Sequence, residues 1–194
     1  MSLLCYTSSG NLAYTVPEDQ LLKTREIYPL SLCDIKRHLR IHNDFVDDDA
    51  YILELRNAAV QMCSNYLNKA IAKTLNALRI DDFYSDTLKV YEGNFLNIIS
   101  IQDASSVVIT TPYQTSNHYD FFTIEWDTFV CSDPIYINFY TGFEEDGTPE
   151  LIKQACLIQI SDFYDNERSS YNWAGMANSK VVERILNQYI AMRW

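Results

Sequence analysis

Two stretches that carry helix-start signals, residues 29–41 and 149–168, stand far apart in the chain, and between them the apolar period changes from helical to alternating. That order restricts the fold to helices, then strands, then helices again. In the first stretch Ser31 stands three residues before Asp34, an approximate capping box, and Leu32, Ile35, Lys36 and Leu39 follow at helical spacing. This helix is expected to stop around Ile41, where His42, Asn43 and Asp44 supply turn residues. Asp47, Asp48 and Asp49 then place negative charge at the positive end of a second helix, in which Ile52, Leu55, Ala59, Met62 and Tyr66 recur every three or four residues. Free of Gly and Pro, it is expected to run from about 48 to 75.

From about Arg79 the pattern becomes β-branched and aromatic runs separated by Gly, Asn, Asp and Pro, which predicts short strands at 88–91, 95–101, 107–111, 119–125 and 135–140. The intervals are hairpin-sized, so the sheet is expected to be antiparallel, with Gly142 closing its last strand. Thr148 can cap the next helix, with Pro149 at its first position and Glu150 beside the positive dipole end. Ile152, Ala155, Cys156, Gln159, Ile160 and Phe163 line one face of it to about Asn166. Ser179 opens a final helix striped by Val182, Ile185, Leu186 and Tyr189. The fold class expected is therefore α+β: a bundle of about four helices with a small antiparallel β module inserted at about 79–140 of a domain spanning 28–194. Residues 1–27 lack a sustained period, apart from a possible strand at 12–16, and are expected to form an N-terminal arm.

A chain of 194 residues can bury one proper core. Its 14 Tyr combine apolar area with a polar tip, suiting either the outer core or contacts with other proteins. The formal charge of -11, with no clustering of Lys and Arg, argues against tight nucleic-acid binding, which requires phosphate neutralisation. Acidity of this kind suits solubility, or a surface that DNA must pass without sticking. The five cysteines (Cys5, Cys33, Cys63, Cys131 and Cys156) form an odd set without CxxC spacing and read as buried free thiols in a reducing compartment. Neither a signal peptide nor a membrane span is expected, because no basic N-terminal region and no long apolar run occur.

Several residues could carry chemistry. His38 and His42 have the i, i+4 spacing of a metal pair if the first helix persists another turn, but HExxH is absent and no carboxylates complete a ligand pattern. Asp47 to Asp49 lack the alternation and the sixth-position Gly of an EF-hand, and helix capping accounts for them. Cys33, in the first turn of a helix and close in sequence to the histidines, is the thiol best placed to be a nucleophile, although a small buried hydrophobe is the commoner role. Glu144, Glu145 and Asp146 read as a solvated acidic turn rather than a hydrolytic pair. GxGxxG, GxxxxGK and GxSxG do not occur. No catalytic, cofactor-binding or metal residue is assigned; a small acidic cytosolic enzyme using Cys33 or the paired histidines is the alternative from another functional class.

Tyr28-Pro29-Leu30-Ser31-Leu32 with Ile35 to Ile41 resembles the opening helix of tailed-bacteriophage head-to-tail connector (adaptor) proteins. Asp47 to Asp49 leading into Ile52, Leu55, Ala58 and Ala59 is similar to the start of that family's long helix. Tyr140-Thr141-Gly142-Phe143 resembles its closing strand and turn. Pro149, Ile152, Lys153, Gln154 and Ala155, with Tyr164, Asn166, Glu167 and Arg168, resemble the helix after it, and Val182, Arg184, Ile185, Leu186 and Tyr189 its ending. The resemblance frames residues 28–194; the arm and the β insertion are departures from it.

The resemblance implies a virion structural protein of the neck rather than an enzyme, without a cofactor or membrane contact. It implies a homo-oligomeric ring, typically a dodecamer, docked to the portal on one side and to a downstream neck or tail protein on the other, with DNA passing through without specific binding. Each flank would bury on the order of 800 Å². A stopper or tail-completion ring is the alternative within assembly. The C-terminal residues Tyr189, Ile190, Met192, Arg193 and Trp194 combine aromatic and cationic side chains favoured at interfaces, and they are expected to touch the portal or a neighbouring subunit.

Overall fold

A computed structural model describes residues 3–6, 12–16, 21–119, 121–144, 147–168 and 180–190, and the chain divides into two compact units. One unit combines Met1–Ile27 with Ala72–Phe143 and is all β in its described residues; the other combines Tyr28–Ile71 with Glu144–Trp194 and holds the helices. The α+β expectation stands at that level.

In the β unit, β1 (Leu3–Tyr6) pairs antiparallel with β2 (Leu12–Val16). The expected strand at 12–16 is therefore present. Next come β3 (Leu21–Ile27), β4 (Lys73–Ile80), β5 (Phe83–Val90), β6 (Phe95–Gln102), β7 (Tyr113–Asn117), β8 (Phe122–Ser132) and β9 (Ile135–Thr141). One sheet has the order β3-β4-β9-β6 and a second the order β5-β8-β7, every pairing being antiparallel. Inward residues alternate along β9, where Ile135, Ile137 and Phe139 are fully buried. They join Leu78 and Ile80 of β4 and Leu88, Phe122, Ile124 and Trp126 of the second sheet in one core. Phe122 stacks on Phe95 at 4.1 Å between ring centroids and meets Phe139 edge-on at 5.1 Å.

Gly142 closes β9, as expected, for a steric reason. Its φ is +106°, and a Cβ there would lie 2.2 Å from the Ala72 carbonyl oxygen.

Within the expected arm, Leu21–Ile27 is a strand in register with β4, tied further by the 2.6 Å Lys23–Glu92 ion pair. Its exposed edge position hides the alternation that would have marked it, because residues 22–26 all face solvent. The predicted strand at 107–111 is instead a turn with one isolated bridge, Gln102 to Val108, where the Asp103 carboxylate accepts from the Ser105 and Val107 amides. The polar edge strand β7 carried no apolar signal and was not predictable from periodicity.

The helical unit contains α1 (Leu32–Leu39), α2 (Asp49–Leu67), α3 (Glu150–Arg168) and α4 (Lys180–Leu186), followed by a 3-10 turn, Asn187–Tyr189. Ser31 caps α1 through the expected box: its hydroxyl oxygen accepts from the Asp34 amide at 3.2 Å and its hydroxyl donates to the Asp34 carboxylate at 2.6 Å. The long helix ends at Leu67, well before residue 75. Asn68 adopts φ +55° and ψ +35°, a left-handed cap, and the apolar residues after it belong to β4. The β region accordingly starts at Lys73 rather than at 79.

Helices α2 and α3 run antiparallel. Near one end the Tyr164 hydroxyl donates to Asp48 at 2.9 Å, and toward the other the buried thiols of Cys63 and Cys156 lie together. The interaction between them, followed by burial, pushes the Cys156 thiol well above its ordinary pKa, while for Cys63 the same interaction outweighs burial and holds its pKa below the ordinary value. Helix α4 inserts Val182 and Leu186 against α2 and α3, beside a cleft lined by Met62, Cys63, Tyr66 and Gln159.

Most described tyrosines are half-buried at the edges of these cores, and Tyr164 alone among them is fully buried. Ile and Phe fill the interior instead.

Candidate functional site

The residues considered for chemistry are not brought together. Helix α1 stops at Leu39, with Arg40 in the left-handed region, so His42 falls outside the helix. Its ring faces solvent and Nδ1 lies 3.4 Å from the Asp44 carboxylate, whereas His38 Nε2 is 3.1 Å from the Ser161 hydroxyl. His118 stacks on Phe121 in the β unit. Among the described residues no group of three or more His, Cys, Asp and Glu could hold a metal ion. No described helix is long and apolar enough to cross a membrane.

Cys33 is exposed, not buried as its type suggested, because its position on the short α1 points outward; Arg37 and Asn43 approach its sulfur at 3.8 Å. Cys63 and Cys156 are buried free thiols, as expected; the side chains of Cys5 and Cys131 lie outside the described ones. In the acidic turn, Glu144 accepts from the Gly147 amide through its carbonyl, and residues 145–146 lie outside the described range.

The aspartate run was expected to serve as a helix cap, and it does not do so through a side-chain bond. Asp48 occupies the N-cap position of α2 without a side-chain capping bond, and its carboxylate takes the Tyr164 hydroxyl instead. Asp49 pairs with Lys36 at 2.5 Å. Lys36 is 3 % exposed, and its ammonium also donates to the carbonyls of Asn43 at 3.2 Å and Phe45 at 2.8 Å. A buried ammonium is tolerable only when its protons are satisfied in this way. With those carbonyls drawn inward, the α1–α2 loop presents Phe45 (42 % exposed) and Val46 (64 %) to solvent, between the exposed Asp44 and Asp47.

This apolar pair was missed by periodicity because it sits in a turn. Two bulky apolar residues inside a run of His, Asn and Asp are the signal that could have found it.

At the other end of α2, the Tyr66 hydroxyl donates to Asn187 at 2.8 Å and ties down the segment after α4. Of the expected interface residues, Tyr189 is half-buried in the 3-10 turn and Ile190 is 40 % exposed; Met192, Arg193 and Trp194 lie outside the described residues. Lys180, Val181 and Arg184 occupy the outer face of α4, with Val181 55 % exposed. Surfaces of this kind, apolar residues flanked by charge and held by buried polar contacts, suit binding to other proteins.

Residues 29–106 match the phage gp6-like head-tail connector protein family. The match bears out the resemblance to head-to-tail connector proteins, and it covers α1, the Phe45–Val46 loop and α2. No curated protein matches the chain in sequence. Among solved structures, the fold is similar to that of a chain in the neck of an empty GTA particle computed with C6 symmetry, with a TM-score of 0.72 at 15 % identity, covering 90 % of this chain and 96 % of that one. A chain in the virion of a native gene transfer agent (GTA) particle is similar at a TM-score of 0.66 and 18 % identity, over 90 % of this chain and 96 % of that one. A third, in the neck of a native GTA particle computed with C12 symmetry, has a TM-score of 0.65 at 14 % identity with the same coverage. The helical and β units of this protein thus follow a fold found in particle necks.

Proposed function

We propose that the protein is a structural subunit of a virion neck, forming an adaptor ring between portal and tail around the DNA channel. The observation that carries this reading is the fold similarity over 90 % of the chain to a particle neck chain, joined to the connector-family match at 29–106. The C6 and C12 symmetries of the similar necks favour a ring, with twelve subunits as the expected number. The net charge of -11 suits a channel wall, because acidic side chains repel phosphate and limit adhesion of passing DNA. In this reading the four helices act as one bundle, and the C-terminal end, Tyr189, Ile190, Met192, Arg193 and Trp194, touches the portal or the neighbouring subunit. The role needs no cofactor and no catalytic centre.

Electron microscopy of the purified chain, alone and mixed with its portal, tests the proposal. Annular particles, or a new layer beneath the portal, are the expected result. Removing residues 189–194 should abolish docking and leave the fold intact. A chain that stays monomeric and ignores the portal would overturn the reading.

A further inference from the structure

The two charged apolar surfaces of the helical unit are complementary to each other, yet they cannot meet within one chain. The first is the Phe45–Val46 loop, flanked by Asp44 and Asp47. The second is the outer face of α4, with Lys180, Val181 and Arg184. The loop leads directly into the start of α2, whereas α4 packs beside Met62, Cys63 and Tyr66 in its last turns. Helix α2 has 19 residues, which at about 1.5 Å per residue spans roughly 27 Å. One rigid helix therefore holds an acidic apolar knob at one end and a basic apolar face toward the other.

We infer that the knob of one subunit docks on the α4 face of the next, making a heterologous, head-to-tail contact between copies of this chain. The inference rests on the ring reading above and names the surfaces that would build it. Three features support it. Charges are opposite, Asp44 and Asp47 facing Lys180 and Arg184, and each side centres on exposed aliphatic or aromatic area. The knob is pre-ordered, since Lys36 already fixes the carbonyls of Asn43 and Phe45, so docking costs little loop entropy. Lys180 stands at the first position of α4, where a cation opposes the helix dipole, so its placement does not serve the helix itself. Because the two patches differ and lie at opposite ends of α2, each subunit can engage two neighbours at once, as a ring requires.

The test uses two half-swapped chains. One carries Asp44→Lys with Asp47→Lys, the other Lys180→Glu with Arg184→Glu; native helix content of both is checked by circular dichroism. Assembly of each chain, with and without the portal, is followed by sedimentation velocity and electron microscopy. Each half-swap alone places like charges across every contact and should raise the concentration for half-assembly at least tenfold. Mixed in equal amounts, the two restore opposite charge at every contact of an alternating ring and should assemble within about threefold of the unmodified chain. Val46→Ser, which removes apolar area without changing charge, should weaken assembly too. Half-swaps or a Val46→Ser chain that assemble normally, or a mixture no better than its parts, would overturn this inference while leaving the ring reading intact. An unmodified chain that forms no annular particles in either condition would overturn both.

Discussion

The β unit and the helical unit are stabilised in different ways. Strands β4, β8 and β9 contribute a continuous apolar interior in which Phe122, Phe139, Ile124 and Ile137 are completely buried, and aromatic rings touch one another across it. The helical unit also has an apolar seam, but its geometry is fixed by polar clamps: Lys36 on Asp49 and two loop carbonyls, Tyr164 on Asp48, and Tyr66 on Asn187. Apolar packing is dense but non-directional. Clamps are directional, so they position surface residues such as Phe45 and Val46. The difference teaches where each unit places its specificity: general burial in the unit made of strands, defined bonds in the unit that presents Phe45 and Val46 to solvent.

The largest expected effect breaks the packed side of this comparison. Phe139→Ala empties space beside Phe122 and between the sheets, and should cost about 3–5 kcal/mol, read from urea unfolding followed by tryptophan fluorescence. A loss under about 1 kcal/mol would mean that the β unit does not depend on this interior.

The next effect breaks the clamped side. Lys36→Ala leaves the Asn43 and Phe45 carbonyls and the Asp49 carboxylate without their shared cation. Removing one member of a buried pair typically costs about 3–5 kcal/mol, and about 2–3 kcal/mol is expected here because the Asp49 side chain is 27 % exposed. Hydrogen exchange should quicken at the amides of residues 42–48 far more than in β9. Uniform quickening across both units would show that the clamp is global and not local.

Legibility in the sequence follows the same division. The starts of α1 and α3 were readable because Ser31 and Asp34, and Pro149 with Glu150, act on neighbours in the chain. β6 and β9 were readable from β-branched and aromatic runs. The end of α2 was not, since Leu75 continues a helical spacing and only the left-handed Asn68 turns the chain toward β4. Strand β3 was hidden by its exposed edge, and β7 by its polar composition. For the candidate site, Met192, Arg193 and Trp194 of the expected C-terminal end lie outside the described residues, and the Phe45–Val46 pair was marked only by its place in a run of His, Asn and Asp. Its exposure depends on where a buried Lys36 ammonium directs two carbonyls, a tertiary fact that no local spacing encodes.

The smallest effect sharpens the comparison by pH. Asp162, on α3, has its pKa raised, first by partial burial and then by the like charge of Asp165 three residues on. In the folded state its ionised form is therefore disfavoured. Between the ordinary carboxylate value and the raised one, the folded chain binds more protons than the unfolded chain, so the stability contributed by this group falls as pH rises through that window. At neutral pH both states are ionised and the whole penalty is present. Asp162→Asn should consequently stabilise the helical unit at pH 7, by less than about 1 kcal/mol given its largely solvated position. The gain should fade as pH drops below the ordinary carboxylate range, where aspartic acid and asparagine are both neutral. Melting temperatures of the two chains at neutral and acidic pH decide the matter: a gain of equal size at both would assign it to side-chain packing rather than to charge, and would remove electrostatic strain from the description of the helical unit.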